Sequence, residues 1–285
     1  YVPNRAGVRL RTGRTNVISL VMSTENEIMN MTARLTASIA NGLRGTPYHL
    51  NLTHFFPGDD PMVPIRYIVE TGAADAVIFN AVQPDDPRVE YLVAKGFPFA
   101  MHGRSQLTER QANFDYDNDA FAQLAVETLA ARSRSNLLLI PPPINQFYSQ
   151  EIVKGAKAAC SRNKIRLIIA EGVTSDSTID EVLGFTASVL VSNPDIDGIL
   201  TAAPNAAMAA TAGLEKVGRT IGQDIDLVAK DAITFLKLFR KEMIIIREDV
   251  ALAGEFLAKS AIHAIRSPLE PRMRYLDTPS RIFRS

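Results

Sequence analysis

The sequence predicts an α/β fold built from two tandem βαβ arrays, each with a parallel sheet covered by helices. Short apolar runs rich in Val, Ile and Leu recur roughly 22 to 32 residues apart, the length of one strand plus one crossover helix. The segments between these runs have the 3.6-residue period of helices. Four runs in the first half of the chain correspond to four in the second. The matching runs therefore indicate a repeated unit. A chain of 285 residues is long enough for two such units, at about 150 residues per domain.

The first array contains four predicted strands. Their apolarity is continuous rather than alternating, which is typical of parallel strands buried on both faces. The runs are NVISLV from Asn16, YHLNL from Tyr48, ADAVIF from Ala74 and FPFAM from Phe97. Between the first two runs, apolar residues step by three or four from Ile28 to Leu43, which predicts a helix that stops at Gly45-Thr46-Pro47.

The second array repeats this layout. Its predicted strands are NLLLI from Asn136, IRLIIA from Ile165, DGILTA from Asp197 and DLVAK from Asp226. Asn118 and Asp119 are suitable caps for a helix before the first of these strands, and further helical periods cover residues 150–163, 178–191, 206–217 and 250–265. Ligands bind beyond the carboxyl ends of parallel strands, so we expect a small molecule in a cleft between two such sheets.

Composition excludes several classes of function. Thirty-one basic residues balance 31 acidic ones, so the chain has no overall positive charge that would attract nucleic acid or an anionic membrane. No apolar run approaches the roughly 18 residues of a membrane span, and the single cysteine, Cys160, excludes an internal disulfide. Phosphate-loop, dinucleotide-turn, nucleophile-elbow and zinc-helix motifs are absent from the sequence. We therefore expect neither enzymatic activity nor a metal or cofactor.

The N-terminal end is nevertheless locally basic. Arg5, Arg9, Arg11 and Arg14 all precede the first acidic residue, Glu25. A solvated tail is the plain interpretation of such a charge run, and charge alone does not decide whether it does more.

One N-terminal segment resembles the LacI/GalR family of bacterial transcriptional regulators: Tyr1-Val2-Pro3-Asn4-Arg5-Ala6, then Leu10-Arg11-Thr12-Gly13-Arg14-Thr15-Asn16 and a strand. In that family this segment is the hinge helix and linker between a helix-turn-helix headpiece and an effector-binding core. The resemblance implies that a headpiece of roughly 55 to 60 residues precedes Tyr1 in the full protein. It also implies a core of two Rossmann-like lobes with the periplasmic-binding-protein-like (type I) fold.

The resemblance also implies a division of the chain and a role for the hinge. Residues 1–15 would be the hinge and linker, residues 16–114 with 250–277 the N-terminal lobe, and residues 115–249 with 278–285 the C-terminal lobe. Hinge helices of the family lie in the DNA minor groove and wedge an apolar side chain between base pairs. Leu10 occupies the matching position, and Arg5 and Arg9 would face phosphates.

Effector contacts in the first lobe follow from the resemblance by position. Ser23 and Thr24 follow the first strand, Asn80 the third and His102 the fourth, where the family directs polar groups at its ligand. Phe114 matches an aromatic residue that packs on the ligand. Each residue also has a local alternative: a helix cap for Ser23 and Thr24, a turn for Asn80, backbone hydrogen bonding for His102 and the core for Phe114.

In the second lobe, Asp231 matches an acidic residue that binds ligand hydroxyls or amines, and Glu248 matches a polar contact. Alternatively, Glu248 pairs with Arg247 or Lys230. The sequence departs from the family at two positions that carry polar sugar contacts, where it has Ile152 and Ala203-Pro204, with Asn205 next. These departures argue against a common pyranose, and Phe147, Tyr148 and Gln150 lie close by as substitutes.

The resemblance predicts a homodimeric cytoplasmic regulator, most simply a repressor. It would bind operator DNA through the headpiece, and a small-molecule effector, such as a sugar, a sugar derivative or another polar metabolite, would control that binding. No membrane partner is expected. The alternative is a periplasmic solute-binding protein of a transporter, which shares the two lobes but normally begins with a secretory signal or a lipid-anchored cysteine.

Overall fold

A computed structural model of the chain describes residues 9, 11–23, 31–56, 58–107, 111–231 and 235–279. Within these residues the chain divides into two compact units. Unit 1 is built from described residues up to Ser23, from Thr32–Asp115 and from Val250–Leu276; unit 2 is built from Tyr116–Asp249 and residues 277–279. The lobe boundaries implied by the family resemblance, after residues 114, 249 and 277, stay a prediction.

The described residues form eleven strands and nine helices. The strands are β1 (Val17–Ser23), β2 (His49–Phe55), β3 (Ala76–Phe79), β4 (Phe99–His102), β5 (Asn113–Tyr116), β6 (Asn136–Ile140), β7 (Arg166–Ile169), β8 (Gly198–Thr201), β9 (Asp226–Asp231), β10 (Ile244–Arg247) and β11 (Arg274–Asp277). The helices are α1 (Met31–Gly42), α2 (Met62–Thr71), α3 (Pro87–Ala94), α4 (Asn118–Ala131), α5 (Phe147–Asn163), α6 (Ile179–Ser192), α7 (Pro204–Lys216), α8 (Leu236–Phe239) and α9 (Val250–Arg266).

The strands form two sheets. Sheet 1 has the order β11-β5-β4-β3-β1-β2, and sheet 2 has the order β10-β9-β8-β6-β7. Every pair in sheet 2 is parallel, as are β1–β2, β1–β3, β3–β4 and β4–β5 in sheet 1. The eight strands predicted from apolar runs are β1 to β4 and β6 to β9. The prediction of an α/β fold with two parallel sheets flanked by helices is therefore confirmed.

Sheet 2 shows why its strands have continuous apolar sequences. Successive residues of a strand point to opposite faces. In β6, Leu138 packs in the core cluster on one face, while its neighbours Leu137 and Leu139 pack in the cluster on the other. Ile199 and Leu200 of β8 divide in the same way. Because helices cover both faces, no position in these strands can be left to solvent.

Both sheets use an aspartate to secure the amino end of a central strand. Asp75, just before β3, accepts the backbone N–H groups of residues 15–16 at 2.8 and 2.9 Å. Asp197, just before β8, accepts those of residues 135–136 at 2.9 and 2.8 Å. Strands β1 and β6 hold equivalent places in the two arrays, so the repeat predicted from spacing extends to individual hydrogen bonds.

A second carboxylate at the amino end of sheet 2 is fully buried. Asp226 accepts hydrogen bonds from Arg132 Nε at 2.8 Å and Arg134 Nε at 2.7 Å. Burial alone raises the pKa of this carboxyl, but the hydrogen bonds and charges of the two guanidinium groups outweigh it and lower the pKa below its usual value. Asp226 is thus a charged anchor between the start of β9 and the end of α4.

The cap of α4 differs from the prediction. The N-cap is Asp117, whose side chain accepts the N–H of Ala120 at 2.9 Å, so the assignment of Asn118 and Asp119 as caps is wrong. Asn118 instead donates from Nδ2 to the Tyr116 carbonyl at 2.8 Å. This bond holds the Asn118 amide beside the carboxyl edge of sheet 2.

Neighbouring helices approach closely at glycines. A Cβ on Gly213 of α7 would lie 2.6 Å from the Leu183 carbonyl oxygen of α6 and 2.9 Å from Thr186 Cβ. On α6 itself, Gly184 is exposed, and a Cβ there would meet nothing within 4 Å. Close packing of α6 and α7 therefore requires glycine at position 213, whereas the open space at Gly184 admits a larger residue.

We predict opposite effects of alanine at these two glycines. Gly213→Ala forces the backbones of α6 and α7 apart and lowers the free energy of unfolding by about 1 to 3 kcal/mol. Gly184→Ala removes backbone freedom from the unfolded chain and raises it by about 0.5 to 1 kcal/mol. Urea denaturation followed by circular dichroism measures both. Equal effects of the two substitutions would contradict the packing described here.

Candidate functional site

Three predicted site residues lie at the carboxyl edge of sheet 1. Ser23 ends β1, Asn80 follows β3 and His102 ends β4, and all three side chains are half-buried. Because the strands are parallel, their carboxyl ends meet at the same edge. The Ser23 hydroxyl oxygen is buried and has no hydrogen-bond partner among the described residues. These polar groups form a row suited to hydrogen bonding with a polar ligand.

An aromatic stack supports the His102 end of this row. The Phe114 ring lies 6.0 Å from the His102 ring with an interplanar angle of 7°, and 5.2 Å from the Tyr275 ring at 12°. Phe256 packs against both Phe114 and Tyr275 at tilted angles. Phe114 is fully buried, in keeping with its alternative as a core residue, and its role as a ligand contact stays a prediction. In the structure it fixes the plane of the imidazole.

The carboxyl edge of sheet 2 brings Asp231 and Glu248 together. Asp231 ends β9, Glu248 directly follows β10, and the Glu248 N–H donates to the Asp231 carbonyl at 3.3 Å. Both side chains are buried. Glu248 Oε2 lies 2.9 Å from Lys230 Nζ, so the pairing with Lys230 considered from the sequence is present. As ligand contacts, both carboxylates stay predictions.

Lys230 is a further candidate site residue, which the sequence suggested only as a partner of Glu248. Its ammonium group pairs with Glu248 and donates to Asn118 Oδ1 at 3.2 Å. It also lies 5.1 Å from the Tyr116 ring centroid and 5.4 Å from that of Tyr148. Only 12% of the side chain is exposed, so this charge depends on its partners rather than on water. In the sequence DLVAKD this lysine is the penultimate residue of the strand, next to the predicted Asp231, and nothing in that pattern distinguishes a buried ammonium group from an exposed one.

Two neighbouring groups have raised pKa values. Burial, together with the carboxylates of Glu248, Asp277 and Asp117, raises the pKa of Tyr116 far above its usual range. Tyr116 therefore remains a phenol and donates to the Arg247 carbonyl at 3.2 Å. Burial also raises the pKa of Asp277, and the charge of Glu248 adds to this effect. Lys230 balances the charge of one of these acidic side chains, Glu248.

The start of α5 carries the remaining predicted contacts. Phe147 is its first residue and is half-buried; Gln150 is exposed and donates to the Ile144 carbonyl at 3.3 Å. Ile152 is fully buried in the core cluster beneath α4 and α5. Asn205 donates to the Ser175 carbonyl at 3.0 Å, so its amide serves a loop. The departures from the family pattern thus have structural roles in this chain.

Only part of the predicted hinge can be placed. Arg9 Nη2 donates to the Thr71 carbonyl, the last residue of α2, at 2.9 Å. A cation at a helix C-terminus complements the helix dipole. Arg5, Leu10 and the predicted effector contact Thr24 lie outside the described residues. The DNA contacts of the hinge stay predictions.

Within the described part of the chain, no group of three or more His, Cys, Asp or Glu side chains is placed to hold a metal ion. None of the described helices has both the length and the apolarity needed to cross a membrane.

The chain is similar in sequence and in fold to known transcriptional regulators. The chain is 28% identical over 273 residues to the HTH-type transcriptional regulator AglR of Rhizobium meliloti (strain 1021), which covers 93% of this chain and 76% of that protein. The lac repressor dimer bound to operator and the anti-inducer ONPF superposes with a TM-score of 0.85 at 16% identity, covering 99% of this chain and 98% of that one. A complex of the transcriptional regulator CelR with cellobiose gives 0.82 at 20% identity, covering 99% and 85%.

A family model described as periplasmic binding proteins and sugar binding domain of LacI family matches residues 34–254. The match includes most of both units, with Asn80, His102, Asp231 and Glu248 but not Ser23, and it confirms the resemblance that the N-terminal segment first indicated. The chain therefore belongs to this family of periplasmic binding proteins and LacI-type sugar-binding domains.

Proposed function

We propose that this chain is the effector-binding core of a bacterial transcriptional regulator of the LacI family, and that it acts as a repressor. The observation that carries the proposal is the family match over residues 34–254, together with AglR, a transcriptional regulator that covers 93% of the chain. This similarity favours a regulator over a transport-associated solute-binding protein, and over an enzyme. Such a regulator works in the cytoplasm, where it reaches DNA.

The proposed effector is a sugar. The family description names sugar binding, and the similar CelR structure is a complex with cellobiose. Carboxylate, amide and imidazole groups at a sheet edge can form hydrogen bonds with the many hydroxyls of a saccharide. Ile152 and Ala203-Pro204 do not supply the polar contacts usual at their positions, so we expect a sugar whose recognition depends on other side chains.

We propose that those side chains are Ser23, Asn80 and His102 on sheet 1 and Asp231 and Glu248 on sheet 2. Thr24, Phe114, Phe147 and Gln150 are further proposed contacts. Lys230 is added as a positioning residue, since its ion pair and hydrogen bond hold Glu248 and Asn118 in place. Operator DNA would be bound through an N-terminal helix-turn-helix headpiece, with Arg5, Arg9 and Leu10 of the hinge in the minor groove.

A homodimer would place two headpieces on two DNA half-sites. The structure offers apolar surface for such an interface. In unit 1, Leu52 on the edge strand β2 is 45% exposed, Phe56 just beyond it 65%, and Val63 and Tyr67 on one face of α2 59% and 63%. In unit 2, Leu238 is 85% exposed. Large apolar side chains left in water are typical of surfaces that a partner covers, and we propose a second copy of this chain.

Effector contacts can be tested with a thermal-shift panel of mono- and disaccharides. At 100 times its dissociation constant, a bound sugar should stabilise the chain by roughly 2.7 kcal/mol. Asn80→Ala, His102→Ala and Asp231→Asn should each weaken binding about tenfold or more, because each removes a hydrogen bond to the ligand. The matched controls Asn51→Ala, His49→Ala and Asp180→Asn change exposed residues and should leave binding unchanged. A sugar shift that survives all three site variants would refute this placement.

Operator binding is tested with the full-length protein and DNA from its own promoter region. Gel shifts should show sequence-specific binding that weakens as salt rises, because phosphate contacts release counterions. The sugar found in the thermal panel should release the DNA, with at least about a fivefold change in affinity. Absence of specific DNA binding at low salt would overturn the regulator proposal. Tighter DNA binding in the presence of the sugar would show that the sugar acts as a corepressor and does not relieve repression.

The dimer proposal predicts different outcomes for two exposed valines. Val63→Lys places a charge in the proposed interface and should raise the monomer–dimer dissociation constant by more than about tenfold. Val191→Lys is the matched control, since Val191 on α6 is 69% exposed and lies outside that surface. Light scattering after size exclusion measures both. A monomeric wild-type chain, or a dimer unaffected by Val63→Lys, would contradict the proposal.

A further inference from the structure

Unit 1 contains a cavity of about 330 Å³ that the proposed sugar site does not use. Its walls come from the end of α3, the start of β4 and the loop between α9 and β11. That position is at the amino end of β4, whereas Asn80 and His102 lie at the carboxyl ends of their strands. The cavity is therefore a separate feature of unit 1.

One wall of the cavity is apolar. Leu92 and Phe99 are buried, Phe97 is half-buried, and Pro268 and Pro271 complete the lining from the loop. Phe99 is held in place by stacking on Phe79 at 6.1 Å. Such a wall removes an apolar body of a few carbons from water, with a gain of about 0.8 kcal/mol per methylene.

The other wall carries two opposite charges. Arg272 donates from Nη2 to the Pro268 carbonyl at 3.3 Å, and its Nη1 is buried with no hydrogen-bond partner among the described residues. A buried donor without a partner costs stability, and an anionic acceptor beside it restores the lost bond. Glu270 also lines the cavity; its carboxylate is 63% exposed and lies 3.8 Å from His263 Nε2.

We propose that this cavity binds a small apolar amino acid. The α-carboxylate accepts from the Arg272 guanidinium group that lines the cavity, the α-ammonium group faces the Glu270 carboxylate, and the side chain packs on Leu92, Phe97 and Phe99. The carboxylate, the ammonium group and the apolar side chain of the ligand thus each have a matching group on the cavity wall. A purely anionic ligand would be repelled by Glu270. The volume suits a molecule of the size of leucine or phenylalanine, at the lower end of ordinary ligand sites.

Isothermal titration of the 285-residue chain with L-phenylalanine and L-leucine tests the proposal. Two analogues separate the charges: 3-phenylpropionate lacks the ammonium group and phenethylamine lacks the carboxylate. L-Phenylalanine should bind at least about tenfold more tightly than either analogue, because each analogue leaves one charged wall group without its partner. Glycine, which lacks the apolar body, should not bind measurably.

Variants assign the binding to the two charged residues. Arg272→Gln should weaken L-phenylalanine binding about tenfold or more, and Glu270→Gln should remove the preference over 3-phenylpropionate. Lys259→Gln, an exposed position on α9, is the control and should bind as the wild type does. Arg272→Lys is a second variant that keeps the charge but not the fork of donors. Absence of binding up to about 10 mM, or binding unaffected by Arg272→Gln in a folded chain, would overturn the proposal.

Discussion

Burial of the central strands on both faces is the constraint on which the structure depends. In sheet 2, neighbouring residues of one strand enter core clusters on opposite sides, so the strand interior has no place for an unpaired polar group. In sheet 2, polar side chains are therefore confined to the ends of the strands. This confinement explains why chemistry-bearing residues gather at edges, although they are widely separated in sequence.

The two ends of the strands have different tasks. At the amino ends, Asp75 and Asp197 bind backbone N–H groups of β1 and β6, and Asp226 binds two arginines. The hydrogen bonds of these carboxylates stabilise the fold itself. At the carboxyl end of sheet 2, Lys230 and Glu248 form an ion pair, and their hydrogen-bonding groups lie at that edge of the sheet. In these parallel sheets, polar groups that stabilise the fold therefore lie at the amino ends of the strands, and the polar groups proposed to bind a ligand lie at the carboxyl ends.

The same constraint sets what the sequence could predict. Most of the eight predicted strands were visible because burial on both faces requires continuous apolarity, although the edge strand β2 is partly exposed. In contrast, β5 (NFDY) is buried throughout yet half polar, with Asp115 paired to Arg104 at 3.0 Å. Resemblance to the family placed Asp231 and Glu248 at one edge. It could not identify Lys230, because a single lysine in DLVAKD has the same pattern whether its ammonium group is in water or in a buried ion pair.

The Lys230 pair also bears on how a sugar could be recognised. Removing one partner of a buried ion pair costs about 3 to 5 kcal/mol, whereas a hydroxyl contributes about 0.5 to 1.5 kcal/mol through a neutral hydrogen bond. On the proposed function, a sugar would therefore bind alongside the intact Lys230–Glu248 pair rather than displace Lys230. The ammonium group, fixed by Glu248, Asn118 and two aromatic rings, orients its neighbours before the ligand arrives. Because these groups are already ordered, less of the binding free energy is lost in fixing side chains, and recognition depends on which hydroxyls fit the fixed positions.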